Sequence, residues 1–499
     1  MSLLVGLALL AFVVRLVPVL RGGGLVGMID HDDGVYFGSA VALVHGRIAY
    51  RDFLLLHPPG ILYLLSPFAA LGYLVGDANA LAIMRVVFML LGAVNTVLVT
   101  LVAGRGGRLA GLSAGALYAV WVVPANVERT SWLIGPQSTL LLLALLLLGR
   151  GGEPRALGST RLVAVGGLIG LAVGIQLWGV VPFAVVLGWL VIGLRGLSWR
   201  ASTGRVVAYS VSAAIAAGAV VLPFLLTAGP VMLRYIVVDQ VGRFARTNTP
   251  PINRLRALEG LPMTGTWAGL VPPVAVVLGF VMAGAVVAWI AWQRPHARLW
   301  VALLAGQTGF LLLGPVFFNH YAGWIAPAAA LSIGTAADAA LRPSGEGHRR
   351  TAVAAAVYAT ALAVLLAGNV TRAAGTRLPL AALTADLAAA RCVAADSPVL
   401  LVVTGTLRRV LDSGCALKLD PAGTSNDTDS GVTGRARTRR NQPEYQQAME
   451  AYYGNSDAAL FARLTEGDGF TAKTWADIRR ALPVTRMYGR ITVLLRSGP

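Results

Sequence analysis

The sequence predicts a polytopic α-helical membrane protein of about eleven transmembrane helices, followed by a small extracytoplasmic α/β domain at the C-terminal end. Three observations carry that prediction. The 499 residues are 56% hydrophobic and only 13% charged, with a mean hydropathy of +0.69, where a soluble domain carries about 25% charged residues. The apolar residues fall in runs close to the roughly 20-residue length that crosses a bilayer. The arginines then gather in alternate connections between those runs.

The runs lie near 2–20, 80–103, 109–124, 133–149, 162–177, 179–194, 205–227, 269–292, 298–316, 322–341 and 351–369. Gln176-Leu177-Trp178-Gly179 breaks the stretch 162–194 into two short spans. With a cytoplasmic N-terminus, the inside loops hold Arg105 and Arg108, then Arg150, Arg155 and Arg161, then Arg195, Arg200 and Arg205, then Arg294 and Arg298, then Arg342, Arg349 and Arg350. Such a Lys/Arg bias orients a membrane protein. The first apolar run lacks a basic n-region and a small-x-small cleavage site, so it reads as a span and not as a cleaved signal peptide. The 58 glycines suit close helix packing in lipid. The net charge of +18 is almost all arginine, since Lys418 and Lys473 are the only lysines. With abundant Ala, Gly and Val, that bias resembles the products of GC-rich actinobacterial genomes. The positive-inside rule accounts for much of the charge, so membrane lipids and not nucleic acid are the expected partners.

Two domains follow: 1–369 in the membrane and 370–499 outside it. In the second, polar residues return and apolar runs shorten. Pro398 to Val403 and Ile491 to Leu495 read as short buried strands. Gln442 to Leu464 reads as one or two helices, and Thr474 to Leu482 as another with Thr474 as its N-cap. The only cysteines, Cys392 and Cys415, fall in this domain, and an even pair in an exported domain favours a disulfide. Asn426 to Arg440 reads as a loop, and its run Arg435, Arg437, Arg439 and Arg440 suits an acidic polymer, lipid headgroups or simply water.

The chemistry is concentrated after the first span. Asp30-His31-Asp32-Asp33-Gly34-Val35-Tyr36, Gly46-Arg47-Ile48-Ala49-Tyr50-Arg51-Asp52-Phe53 and His57-Pro58-Pro59-Gly60 place four carboxylates and two histidines at the membrane mouth. Charges there are expensive and mark function by default. A carboxylate held near a hydroxyl is a general base, and desolvation moves its pKa towards neutrality. Paired acids can also hold a divalent cation such as Mg, Mn or Ca through oxygen ligands. The plain alternative is that one aspartate caps a helix over Val35 to Val44. His57 precedes two prolines, so its backbone is extended or turned, which can aim it back at the acids.

The order Asp-Asp-x-x-Tyr, Gly-x-x-x-Tyr-x-Asp-Phe and His-Pro-Pro directly after span one resembles the C-type glycosyltransferase superfamily (GT-C). Protein O-mannosyltransferases and lipid A aminoarabinose transferases share this layout. The motif covers about 30 residues and the span layout covers the rest of the membrane part. The resemblance implies a bacterial plasma-membrane enzyme that takes a sugar from a polyprenyl-phosphate donor. It passes that sugar, usually with inversion, to a cell-envelope glycan, lipid or protein at the outer face. Many relatives have Glu where this chain has Asp33. The frame set by Tyr36 makes Asp32 the base, with Asp33 or Asp52 as orienting acid or metal ligand.

Five arginines lie in the outside connection 229–262, against the positive-inside rule: Arg234, Arg243, Arg246, Arg254 and Arg256. Arginine binds phosphate bidentately and keeps its charge. Arg243 and Arg246 are the expected ligands of the donor phosphate, on an interfacial helix from Arg234 where Asp239 and Arg243 share a face. His57, His320 and Tyr321 are further candidates for donor contact. Gln176 and Trp178 are weaker ones, and Asn126 to Arg129 suits an internal ion pair. No Walker A sequence, Rossmann fingerprint, His-Glu-x-x-His or Cys-x-x-Cys is present. Two other classes stay open: a transporter or flippase of lipid-linked sugars, and a hydrolase using the same acids with water. A transporter is expected to carry charged or unwound segments at midplane and repeated halves, and neither is visible.

Overall fold

In lipid, a lone apolar segment satisfies its backbone only as a helix, and the described part of each expected span is mainly helical, with 109–124 broken at Trp121 into two helices. The computed structural model describes residues 2–149, 154–242, 249–258, 260, 273–314, 316–342, 348–426, 439–467 and 469–497. The first helices are α1 (Ser2–Arg21), α2 (His31–Val44), α3 (Gly60–Val75), α4 (Asp77–Gly104), α5 (Arg108–Val120), α6 (Val122–Val127) and α7 (Ile134–Leu147). There follow α8 (Ser159–Ile175), α9 (Val180–Gly193), α10 (Trp199–Ala228), α11 (Pro230–Leu233), α12 (Asp239–Gly242), α13 (Pro251–Leu258), α14 (Pro273–Trp292), α15 (Arg298–Leu313), α16 (Ala326–Leu341) and α17 (His348–Val370). Among the described residues seven helical stretches are long and apolar enough to cross a membrane, while α3, α7, α8 and α9 are shorter apolar helices. Gln176, extended at φ −149° and ψ 128°, ends α8 and begins the break before α9.

The chain forms two compact units. The first comprises Met1–Pro18, Val86–Val220 and Thr249–Ala373; the second comprises Val19–Arg85, Val221–Asn248 and Ala374–Pro499. The second thus unites the segment after span one with the C-terminal residues, a grouping different from a single cut at 369/370.

In the first unit, α5 lies against α16 through small residues. A Cβ on Gly334 would meet Ala114 Cβ at 2.5 Å and Ala110 O at 2.7 Å, the close approach by which membrane helices gain packing. The outer faces are apolar, with Leu313 86%, Trp289 65% and Met282 64% exposed. Between the helices sits a buried polar network. Arg15 Nε donates to Glu128 Oε2 at 2.9 Å, while Asn95 and the Tyr118 hydroxyl donate to Glu128 Oε1 at 2.6 and 2.8 Å. Arg129 does not pair with Glu128; it donates to Asn126, Asn369 and the carbonyls of Val14 and Arg15. The expected local ion pair at the 126–129 tip is therefore a long-range one, with Arg15 of α1 as the partner of Glu128.

In the second unit the C-terminal segment adds α18 (Leu380–Asp386), β1 (Val393–Ala395), α19 (Pro398–Val403), α20 (Thr406–Asp412), α21 (Pro443–Gly454), β2 (Ala458–Phe461), β3 (Thr465–Glu466), β4 (Gly469–Phe470), α22 (Ala472–Ala481), β5 (Val484–Tyr488) and β6 (Ile491–Leu495). The main sheet has the order β1-β2-β6-β5, with β1 parallel to β2 and the other pairs antiparallel. Tyr445, Met449, Tyr453, Phe461, Phe470 and Ile478 form its core with α21 and α22. Cys392 and Cys415 are joined in a disulfide with Cα atoms 5.6 Å apart.

Three local expectations are corrected. Pro398–Val403 is a helix and not a strand, because a short apolar run has no readable period and Pro398 at the first turn favours a helix start. The stretch 442–464 holds one helix and then β2. The cap of α22 is Thr471, whose side chain accepts from Thr474 N, and not Thr474 itself. The helix expected from Arg234 is present over its described residues, as a π-helical stretch Arg234–Val238 leading into α12.

Removing one partner of a buried ion pair leaves the other uncompensated, at a cost of about 3–5 kcal/mol. Arg15→Met is expected to lower the unfolding temperature of the purified protein sharply, and Arg15→Met with Glu128→Gln to recover much of the loss. Equal loss in the single and double variants, measured by thermal unfolding in detergent, would contradict the account of this network.

Candidate active site

The acidic segment folds as the first turn of α2. Asp30 is the N-cap, its Oδ1 accepting from Asp32 N at 2.9 Å. The helix therefore begins at His31, four residues before the expected Val35, and this puts His31, Asp32 and Asp33 on successive positions of one turn. Successive positions point about 100° apart, so the two neighbouring aspartates meet different surroundings.

Asp33 turns inward. It is wholly buried with Arg85, whose Nε donates to Asp33 Oδ2 at 2.8 Å and whose Nη2 makes a second bond to the same oxygen. Arg85 Nη1 also donates to the carbonyls of Leu25 and Gly27 at 2.6 and 2.9 Å, so one guanidinium ties the end of the 22–30 connection to the start of α2. Asp32 stays partly exposed, and among the described residues nothing hydrogen-bonds to its carboxyl oxygens. Burial by surrounding protein is the main reason its pKa rises to about 7, and the Asp30 charge adds to it. Burial likewise lifts Asp30 to about 6.

The wall around this turn comes from the C-terminal segment of the same unit. A Cβ on Gly34 would lie 2.4 Å from Val399 N, so α2 presses against the start of α19 at a glycine. His31 Nε2 lies 3.3 Å from Asp420 Oδ1. Asp396, just before α19, is wholly buried and accepts the backbone N–H groups of Ala462, Arg463 and Leu464 at 2.9, 2.6 and 2.6 Å. Burial nonetheless raises its pKa, against the pull of those three donors.

Asp52 stands elsewhere. It closes the turn 48–53 by accepting Ile48 N at 2.7 Å and pairs with the exposed Arg51 at 2.9 Å, which holds its carboxyl below the usual range. Tyr50, at φ 70°, is the one positive-φ residue other than glycine among those described. Such a backbone is unfavourable for a bulky residue, and it is held by Tyr50 N donating to Phe53 O and the hydroxyl donating to His57 O, at 2.8 and 2.7 Å. The His57 ring meets Tyr36 of α2 edge-on at 5.9 Å. The prolines thus aim His57 at the second turn of the acidic helix. Gln240 Nε2 donates to Leu56 O, which joins the 229–242 segment to this loop.

The other expected residues are described by their own surroundings. Arg243 and Arg246 lie outside the described residues. Arg254, in the first unit, is buried and donates to the carbonyls of Leu311 and Leu312 at 3.1 and 3.2 Å, so it caps α15. His320 and Tyr321, also in the first unit, sit in an aromatic cluster. The His320 ring lies 3.7 Å from that of Trp132, and Tyr321 meets Trp178 edge-on at 4.3 Å. Asp32 and Asp33, the two expected metal ligands, face different surroundings. Asp33 faces Arg85, and among the described residues no group of three or more His, Cys, Asp or Glu is arranged to hold a metal ion. Sequence reasoning missed Arg85 as the partner of Asp33, and Asp396, Asp420 and Arg463 altogether. Arg85 carried a signal, being an arginine inside an apolar run.

Comparison with known proteins bears on the fold. No family model matches the chain, and no curated protein matches it. Among solved structures, ArnT from Cupriavidus metallidurans bound to undecaprenyl phosphate is similar, with a TM-score of 0.55 and 13% identity over 99% of this chain and 97% of that one. Its apo state gives 0.56 and 14% with the same coverage. The oligosaccharyltransferase of Archaeoglobus fulgidus, tethered to an acceptor peptide, gives 0.57 and 14% over 92% of this chain and 68% of that one. The chain has the GT-C fold: a multi-span helical membrane part with a small strand-containing C-terminal region.

Two outcomes are expected from this geometry. Gly34→Ala drives a methyl into the α19 backbone and should lower thermal stability by about 1–3 kcal/mol; an unchanged unfolding temperature would show that α2 and α19 can part. Asp32 holds its proton up to about 7 when folded, against 3.8 as the ordinary value. Between those values the folded protein binds the extra proton, so this group's contribution to stability is present below the lower value and is lost as pH rises through the upper one. The stability difference between wild type and Asp32→Asn should therefore shift against wild type as pH is raised from 4 to 8. A difference that is flat with pH would rule out the raised pKa.

Proposed function

We propose that the protein transfers a sugar from a polyprenyl-phosphate donor to a hydroxyl of a cell-envelope glycan, lipid or protein, at the outer face of a bacterial plasma membrane and with inversion at the anomeric carbon. The N-terminus is then cytoplasmic and the C-terminal region extracytoplasmic. The observation that carries this reading is the separation of two adjacent carboxyls, one fixed on Arg85 and one left open and poised near neutrality. Divergent environments of that kind assign different roles to a pair of acids.

In this reading the acceptor oxygen attacks the anomeric carbon while its proton passes to Asp32. The bond from that carbon to the phosphate oxygen breaks, and polyprenyl phosphate departs with the electron pair. Asp32 suits the task because a base works best when its pKa lies near the working pH. Asp33 acts through Arg85 by fixing the first turn of α2, and Asp52 by closing the turn that carries Tyr50. Arg243 and Arg246 follow directly on the segment that Gln240 ties to Leu56, which favours them as donor-phosphate ligands. His57, His320 and Tyr321 remain candidates for donor contact. The GT-C fold, shared with a protein solved with undecaprenyl phosphate, supports the class of donor. The donor sugar in this reading is a hexose or a pentose.

The test gives purified protein in lipid a panel of radiolabelled polyprenyl-phosphate sugars with a membrane extract as acceptor source. Label should move to a new product, and Asp32→Asn should lose about 10²-fold or more in rate. Release of free sugar with no transfer product would assign the site to hydrolysis, and turnover of no donor would favour transport. The acid limb of the rate profile is expected near pH 7. Asp30→Asn keeps the helix cap but removes a like charge, so it should move that limb to lower pH; a limb that stays in place would remove Asp30 from the site.

A further inference from the structure

The corner around Asp32 is rich in carboxyl groups. Asp30, Asp396 and Asp420 all lie within electrostatic reach of the Asp32 carboxyl or of the His31 beside it. An incoming lipid phosphate adds further negative charge, and it must come close, because the bond that breaks joins it to the sugar. Repulsion of this kind needs a cation on the same side of the site. Arg85 is wholly buried and committed to Asp33 and to the carbonyls of Leu25 and Gly27, so another cation is needed.

Arg463 can supply it. Its backbone is held by Asp396, which accepts the N–H groups of residues 462, 463 and 464. Asp396 in turn stands two residues before Pro398, in the segment that Gly34 of α2 presses against at Val399. The main chain of Arg463 is thereby fixed beside the first turn of α2. Its side chain is exposed, and among the described residues it makes no ion pair or hydrogen bond. Its charge nevertheless acts on both Asp30 and Asp32. A fixed backbone, an uncommitted planar fork and a charge within electrostatic reach of the base suit a phosphate-binding arginine.

We propose that Arg463, on the loop after β2, binds the phosphate of the lipid-linked donor beside Asp32. The proposal rests on the transferase reading above and adds a donor contact from the C-terminal region. Arg463 then holds the leaving phosphate as the sugar departs and keeps the anion from being repelled by the surrounding carboxylates.

The experiment measures binding of undecaprenyl phosphate to the full-length protein in lipid nanodiscs by native mass spectrometry, with inorganic phosphate as a second probe. Arg463→Gln is expected to weaken lipid-phosphate binding at least tenfold and to raise the donor KM more than it lowers kcat. Arg463→Lys should fall between, since an ammonium restores charge without the fork. Thermal unfolding of both variants should stay close to wild type, because among the described residues the side chain makes no ion pair or hydrogen bond. Asp32→Asn should bind the lipid as well as wild type or better. Lipid binding by Arg463→Gln equal to wild type overturns the proposal and leaves the transferase reading standing. Failure of wild type to bind the lipid overturns both. Arg463-dependent binding of inorganic phosphate without Arg463-dependent binding of the lipid also overturns it, by assigning the site to free phosphate.

Discussion

The buried pair Asp33–Arg85 is the interaction on which the rest of the site depends. Both side chains are fully removed from water, so neither can be lost singly without leaving a bare charge. The pair locks the rotation of α2 about its own axis. With Asp33 held inward, the helical period leaves Asp32 only one direction to face, and that direction is the wall formed by the C-terminal segment. The same guanidinium binds the carbonyls of Leu25 and Gly27, so the connection from the first span reaches α2 at a fixed angle. The unequal environments of two neighbouring aspartates are a consequence of helix geometry plus one ion pair.

The C-terminal region takes part in the site through its sheet. β1 and β2 run parallel, and the residues that approach α2 follow their carboxyl ends: Asp396 after β1, and Ala462 to Leu464 after β2. Open sheets with parallel strands place their ligand-binding loops at that end. Here the loops meet a membrane-adjacent helix, and the Asp396 carboxylate bridges them from strand to strand. A second tie lies on α20, where Arg408 pairs with Asp77 at the start of α4 at 2.7 Å and lies over the Tyr73 ring. Residues 300 positions and more apart in the chain are thus brought to one small volume.

The helical part was legible because lipid permits little else: an apolar run of sufficient length becomes a helix whatever its details, and even the Gln176 break was marked by a glutamine and a glycine in an apolar stretch. The C-terminal region was less legible, since 398–403 is short, wholly buried and without period, so a helix and a strand look alike. The acidic motif located the loop but not the roles within it. Which aspartate faces inward depends on where α2 starts, and Asp30 was one of three adjacent candidates for the cap. Arg85 stood out as a charge within an apolar run, yet its partner lies 52 positions away. Asp396 and Arg463 sit in sequence surroundings with no distinguishing feature, and only the sheet brings them to the site.

The disulfide joining Cys392 to Cys415 closes a loop that contains Asp396, Val399 and Arg408. The approach of Gly34 to Val399 and the Arg408–Asp77 pair both involve residues inside that ring. The geometry at Asp32 therefore has an oxidative history. A chain whose thiols never meet an oxidant keeps its membrane helices intact but relies on packing alone to hold the wall of the site. Such a preparation would be correctly inserted, monodisperse and poorly active, and the cause would lie in the compartment or buffer in which it matured, far from any residue that touches the reacting atoms.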